Sequence, residues 1–167
     1  MLIGVLSDTH NDAHNTQIAL RTFRERGVTR LIHCGDITTP ETVYLFGGWN
    51  IVFVWGNGDH NKDALIAAAR AIGAPVPQFV HTLEVDGVKI AATHGHKHNV
   101  LANLIAEGKY AYVCHGHTHL RKDELRPPFG VHVINPGALG GVKLQARSVC
   151  VLDTDTDQVD FVEFANL

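Results

Sequence analysis

Leu2-Ile3-Gly4-Val5-Leu6-Ser7-Asp8-Thr9-His10 sets a short apolar run directly against a polar cluster. The run has the length of a buried strand. It meets Asp8 at once, with no basic leader and no small-residue cleavage pattern, so it does not read as a secretory signal. Working outward, Ala13 to Arg26 places Ala19, Leu20 and Phe23 on one helical face and stops at Gly27. Arg24 and Arg26 then fall in the last turn, where cations suit the helix dipole. Leu31 to Cys34 is a second strand. Thr39 before Pro40 reads as an N-cap followed by proline at the first helical position, opening a short helix over Glu41 to Phe46, and Ile51 to Trp55 is a third strand. The opening third is therefore β-α-β-α-β.

Asn61 can cap a further helix that turns Leu65, Ala68, Ala69 and Ile72 inward and ends at Gly73. Beyond Pro75 and Pro77 the period changes from helical to alternating. Leu83 and Val85 lead into Asp86-Gly87, and Val88, Ile90 and Ala92 lead away, which is a hairpin signal. Val100 to Ala106 forms another helix closed by Gly108, with strands expected at Ala111 to Cys114 and Val131 to Ile134. Ser148 to Asp153 and Val159 to Phe164 form a closing hairpin around Thr154 to Asp157. The segment Arg121 to Phe129, with Pro127 and Pro128, is the least constrained and is expected to be a loop that could shape a pocket rim. Parallel units followed by hairpins predict α/β architecture with mixed sheets covered by helices.

The 167 residues are 45% hydrophobic and 19% charged, enough for one core, so a single domain over 1–167 is expected. Fourteen Lys plus Arg against 17 Asp plus Glu give a formal charge of −3, which argues against a broad electrostatic grip on nucleic acid. No apolar run approaches the ~20 residues of a membrane helix. Three scattered cysteines without a CxxC point to a reducing, cytoplasmic setting rather than a disulfide framework. The compositional anomaly is 12 histidines.

Five polar clusters each follow a predicted strand: Asp8-Thr9-His10, Gly35-Asp36, Gly56-Asn57-Gly58-Asp59, His94-Gly95-His96 and Gly116-His117-Thr118-His119. Ligands in open α/β sheets collect beyond the carboxyl ends of strands, so distant clusters can converge on one rim. In extended backbone residues i and i+2 share a face, which would let Asp8 and His10 reach one ion, and His117 and His119 repeat the spacing. Asp, Asn and His without thiolate suit Mn²⁺, Fe, Ni²⁺ or Zn²⁺ in an open catalytic site rather than a closed structural one. Seven ligand candidates, Asp8, His10, Asp36, Asn57, His94, His117 and His119, suffice for two ions sharing a carboxylate. Two such ions about 3.5–4 Å apart can clamp an in-line displacement at phosphorus.

These motifs, in this order, resemble the calcineurin-like metallophosphoesterase superfamily, specifically its small bacterial and archaeal phosphodiesterase branch. Asn135-Pro136-Gly137 and the closing hairpin are also similar to that branch. The resemblance implies a four-layer αββα sandwich of two mixed sheets flanked by helices. It implies one ion held by Asp8, His10, Asp36 and His119, a second by Asp36, Asn57, His94 and His117, and Asp36 as the bridge, with Mn²⁺ favoured. A metal-bridging hydroxide would attack a small phosphate diester, Asp36 and Asn57 holding the metals and His96 touching substrate or orienting His94. Many members carry His where this chain has Gly58, so aryl esters are expected to turn over faster than alkyl esters unless His96 or His60 supplies the proton. A phosphomonoesterase or nucleotidase is the alternative within enzymes. A non-catalytic scaffold, as in the retromer subunit of this fold, is the alternative outside them. Base rate alone allows a homodimer. Asp59 is expected to brace its loop, Asn11 and Asp12 to cap the first helix, Asn135 to brace the metal loops, and Cys34 to pack as a small hydrophobe.

Overall fold

Alternating apolar positions in the strands and one-sided apolar faces on the helices require burial on several levels, and the architecture supplies it in four layers. In the computed structural model, which describes residues 1–164, the order is β1 (Leu2–Leu6), α1 (Ala13–Glu25), β2 (Arg30–His33), α2 (Pro40–Tyr44), β3 (Asn50–Phe53), α3 (Lys62–Ala71), β4 (Val80–Val85), β5 (Val88–Thr93), α4 (His98–Ala106), β6 (Tyr112–Cys114), β7 (Lys122–Arg126), β8 (Val131–Asn135), β9 (Arg147–Asp153) and β10 (Gln158–Phe164). One sheet runs β10-β9-β1-β2-β3 and the other β4-β5-β6-β8-β7. Strands β1, β2 and β3 pair in parallel, as do β5, β6 and β8, while hairpins add antiparallel edges to both sheets.

Period two decides the layering. Leu6, Leu31, Ile51 and Phe53 face α1, α2 and α3, meeting Phe23, Val43 and Leu65. Their neighbours Ile3, Val5, Ile32 and Val52 face the second sheet and meet Ile90, Ala92, Tyr112 and Ile134. From the far side of that sheet Ala91, Val113 and Val133 pack on Leu104 of α4. The expected four-layer sandwich is therefore present. Cys34 lies in the inter-sheet layer as a buried free thiol, as its small apolar volume suggests.

Three local expectations need correction. The segment Arg121 to Phe129 is not simply a loop, because Lys122 to Arg126 pairs antiparallel with Val131 to Asn135. Lys-Asp-Glu-Leu-Arg has no apolar alternation to betray a strand, since it lies at a sheet edge with little to bury. Thr39 does begin α2 with Pro40 behind it, but its hydroxyl donates to Asn11 Oδ1 at 2.8 Å instead of capping the helix. Helix α4 begins at His98 rather than Val100. The last three positions of the unit expected over 1–167 lie outside the described residues. No helix among those described is long and apolar enough to cross a membrane.

Candidate metal centre

The five clusters sit where the strands β1, β2, β3, β5 and β6 end, and hydrogen bonds pull those ends together. The Asp8 amide donates to Gly35 O and the His10 amide to Asp36 O, each at 3.0 Å, tying the first two loops. The Gly116 amide donates to His94 O at 3.0 Å, tying the loops of the second sheet. The sheets are then joined to each other: the His117 amide donates to Asp8 Oδ2 at 3.0 Å, and His94 Nδ1 lies 2.6 Å from Cys34 O. A Cβ on Gly116 would fall 1.8 Å from Ser7 Oγ and 2.6 Å from Asp8 Oδ2, so glycine is required for that closeness.

Each carboxylate is held by one oxygen and presents the other. Asp8 Oδ2 accepts from Ser7 Oγ at 2.6 Å as well as from His117, leaving Oδ1 for the site. Asp36 Oδ1 accepts from the Gly58 amide at 2.6 Å, leaving Oδ2 between His10 Nε2 at 3.6 Å and His94 Nε2 at 3.5 Å. His119 Nε2 stands 3.3 Å from Asp8 Oδ1 and 3.3 Å from His10 Nε2. With Nδ1 of His94 donating to Cys34 O, and Nδ1 of His119 to Val142 O at 2.8 Å, both rings turn Nε2 inward. Two ligand groups result, Asp8 with His10 and His119, and Asp8 with Asp36 and His94.

Of the sequence candidates, Asp8, His10, Asp36, His94 and His119 thus converge atom on atom. The His117 ring stands against His94, centroids 5.1 Å apart, and His96 is 5.4 Å from His94 and 6.2 Å from His117. Asn57 is exposed on the loop whose Gly58 amide holds Asp36, and no side-chain contact joins it to the others among the described residues. The extended-backbone reason for pairing Asp8 with His10 and His117 with His119 fails. All four have left-handed backbone, with φ of 52°, 43°, 70° and 59°, as does Asp36 at 56°. Non-glycine residues adopt such φ at a cost, and several together mark a site whose geometry is imposed by its surroundings.

Bracing is as expected at three positions. Asp59 accepts from the amides of Asp36, Thr38 and Gly56 at 3.1, 2.8 and 2.7 Å. Asn135 donates to Gly116 O and Thr118 Oγ1 at 2.9 and 3.1 Å, and Asp12 Oδ1 accepts the Asn15 amide as the α1 cap. Ser7 and the Val142 carbonyl escaped sequence reading. Ser7 is visible in the motif Ser7-Asp8-Thr9-His10, whereas Val142 is distant in sequence and contributes only backbone.

Burial raises the Asp8 and Asp36 carboxyls, but hydrogen bonding and the histidine charges outweigh it. For Asp8 these are the His119 imidazole 3.3 Å from Oδ1, the His94 charge and the Ser7 bond. For Asp36 they are His94, the Gly58 amide and His10, which hold it at about 2. Burial lowers His94, and its contacts with Asp36 and Asp8 reverse that to a net rise; the neighbouring Asp8 carboxylate raises His119. Asp8 Oδ1 and His94 Nε2 are nonetheless buried without a hydrogen-bond partner. Buried polar atoms ordinarily find partners, and a divalent cation would satisfy both atoms at once. The donor set of carboxylate oxygen and imidazole nitrogen fits that group.

His33 and His115 are interior, not ligands. Burial pushes His33 down to about 3 and His115 to about 4. The His33 ring packs on Phe46 and Phe53, its Nδ1 accepting from the Gly35 amide and Nε2 facing Thr9 Oγ1. Because the unfolded chain binds a proton near pH 6.5 and the folded chain does not until near 3, this residue's stability is full above 6.5. It is lost as pH falls, at about 1.4 kcal/mol per unit. Denaturant midpoints taken in chelator at pH 7 and 5.5 should therefore fall more steeply for the parent protein than for His33→Gln; parallel profiles would contradict the assignment.

Comparison with known proteins follows the same line. A family model described as the calcineurin-like phosphoesterase superfamily domain matches residues 1–157. A phosphodiesterase of Methanocaldococcus jannaschii is 34% identical over 159 residues, covering 93% of this chain and 94% of that protein. The solved structure of an archaeal phosphodiesterase superposes with a TM-score of 0.91 at 32% identity, covering 98% of this chain and 100% of its own. Zinc-complexed Vps29 of Entamoeba histolytica superposes with a TM-score of 0.71, covering 98% of this chain and 99% of that one; at 18% identity the likeness is one of fold.

Proposed function

The chain belongs to the calcineurin-like phosphoesterase superfamily, and from that premise we propose that it is a binuclear metal-dependent phosphodiesterase. The observation that carries the reading is the pair of buried, unpartnered atoms, Asp8 Oδ1 and His94 Nε2, facing the same space as Asp36 Oδ2. Asp8, His10, Asp36 and His119 would hold one ion and Asp36, Asn57, His94 and His117 the other. The position of Asp36 Oδ2 between His10 and His94 supports its sharing. Bound there, two divalent ions, Mn²⁺ by preference, would polarise the phosphoryl oxygens and lower the pKa of the water that attacks phosphorus.

The chain's own part is positioning. The Gly58 amide and Asp59 fix Asp36 and its loop, the Cys34 and Val142 carbonyls fix the rings of His94 and His119, and the left-handed loops fix the rest. Gly58 offers no proton to a leaving group. His96 is the nearest imidazole to His94 and His117 outside the ligand set, and it would contact the substrate phosphate.

Purified protein should hydrolyse bis-p-nitrophenyl phosphate faster than p-nitrophenyl phosphate, lose both activities in chelator and regain them with Mn²⁺. Free Mn²⁺ at 100 times its Kd should also add about 2.7 kcal/mol of stability, read as a higher melting temperature. Turnover insensitive to the chelator would refute the metal assignment, and faster monoester turnover would favour the nucleotidase alternative.

A further inference from the structure

The segment before β4 is fastened to both loops on the His94 side of the site. The Trp55 amide, just ahead of Gly56-Asn57, donates to Gln78 O at 2.8 Å. Thr93, just ahead of His94, donates its hydroxyl to Phe79 O at 3.0 Å. Phe79 is thereby held between the Asn57 loop and the His94 loop, its ring 6.4 Å from that of His96 and 39% exposed.

Each of those loops then delivers a lysine to the same ring. Lys62, entering α3 after the Asn57 loop, places Nζ 4.6 Å from the Phe79 centroid and 5.4 Å from that of Trp55. Lys97, the cap residue of α4 after the His94 loop, places Nζ 3.5 Å from Phe79. Both ammoniums stand at helix N-termini, where the backbone dipole disfavours positive charge. Neither has an ion-pair partner among the described residues. Beside them His96 Nδ1 is buried and unpartnered. In a chain of net charge −3, two exposed cations are thus gathered on one aromatic ring at the edge of the candidate centre.

We propose that Lys62 and Lys97, spread over Phe79, form a subsite for a second anionic group, so that the preferred diester carries a further phosphate on one of its arms. The proposal rests on the phosphodiesterase reading for the reacting group. A terminal phosphate, with a charge of about −1.5 to −2 and three acceptor oxygens, can engage both point-charge ammoniums at once, whereas a carboxylate brings a single charge. The Phe79 ring attracts both ammoniums and holds them in place before substrate arrives.

Thymidine 5′-(p-nitrophenyl phosphate), with and without a 3′-phosphate, isolates that extra group, because nitrophenolate leaves in both. The parent protein with Mn²⁺ should prefer the phosphorylated probe in kcat/KM, mainly through KM. The preference should fall roughly 10-fold or more in Lys62→Gln/Lys97→Gln and stay unchanged in Lys109→Gln, a lysine paired with Glu107. No preference in the parent, or a preference that survives the double variant, overturns the subsite. If the parent hydrolyses neither probe, the phosphodiesterase reading is what fails. Calorimetric binding of thymidine 3′,5′-bisphosphate then decides the subsite: weaker binding by the double variant sustains it, and equal binding removes it.

Discussion

Asp36→Asn is expected to reduce metal-dependent hydrolysis of bis-p-nitrophenyl phosphate by more than about 100-fold, beyond what loss of a residue that merely supports a metal ligand costs. The substitution is nearly isosteric, and the Gly58 amide can still donate to the side-chain oxygen it holds at 2.6 Å. With that bond kept, what changes is the atom between His10 Nε2 and His94 Nε2, where a carboxylate oxygen becomes an NH₂ that donates into the site. One anionic charge disappears from the place where two divalent ions would share it. Folding should be retained, so the variant should melt as a single transition while losing most of the Mn²⁺-induced rise in melting temperature. More than a tenth of parental activity with an undiminished Mn²⁺ response would show that Asp36 does not bridge.

The residues of that centre were legible in the sequence because their signal is local. Asp8-Thr9-His10 and His117-Thr118-His119 stand at strand ends that hydrophobic runs define, and the order of five such clusters carried the family resemblance. Extended backbone nevertheless does not explain how their side chains converge. Left-handed φ at Asp8, His10, Asp36, His117 and His119 is set by loops from both sheets closing on each other, which no local pattern encodes. The same holds for the Val142 carbonyl behind His119 and for Phe79 under two lysines, each joined across long stretches of chain. Strand β7 was missed for the opposite reason. At a sheet edge its polar residues bury little, so the pairing with β8 rests on backbone hydrogen bonds that side-chain periodicity does not report.

Gly56→Ala should damage the protein twice, and the two effects are separable. A Cβ at residue 56 would lie 2.0 Å from Asp36 Oδ1, 2.8 Å from its Cγ and 2.3 Å from its backbone nitrogen. The side chain could rotate away, but the backbone nitrogen cannot. It is held by Asp59 Oδ2, the oxygen that also accepts from the Gly56 amide at 2.7 Å. Relief therefore requires the β2 and β3 loops to separate, at an overpacking cost of about 1–3 kcal/mol. Asp36 would move with its loop, and a displacement near 1 Å at a reacting centre is worth about 100-fold in rate. Gly58→Ala provides the graded comparison, because its Cβ would stand 3.1 Å from Asp36 Oδ1 and touch side-chain atoms alone. It should melt within about 0.5 kcal/mol of the parent, as substitutions that avoid such clashes usually do, and lose less activity than Gly56→Ala. Should Gly56→Ala melt and turn over like the parent, the close approach of the two loops would not be what fixes Asp36. Equal losses in the two variants would mean instead that any side chain on this loop disturbs the site, whatever its distance from the Asp36 backbone.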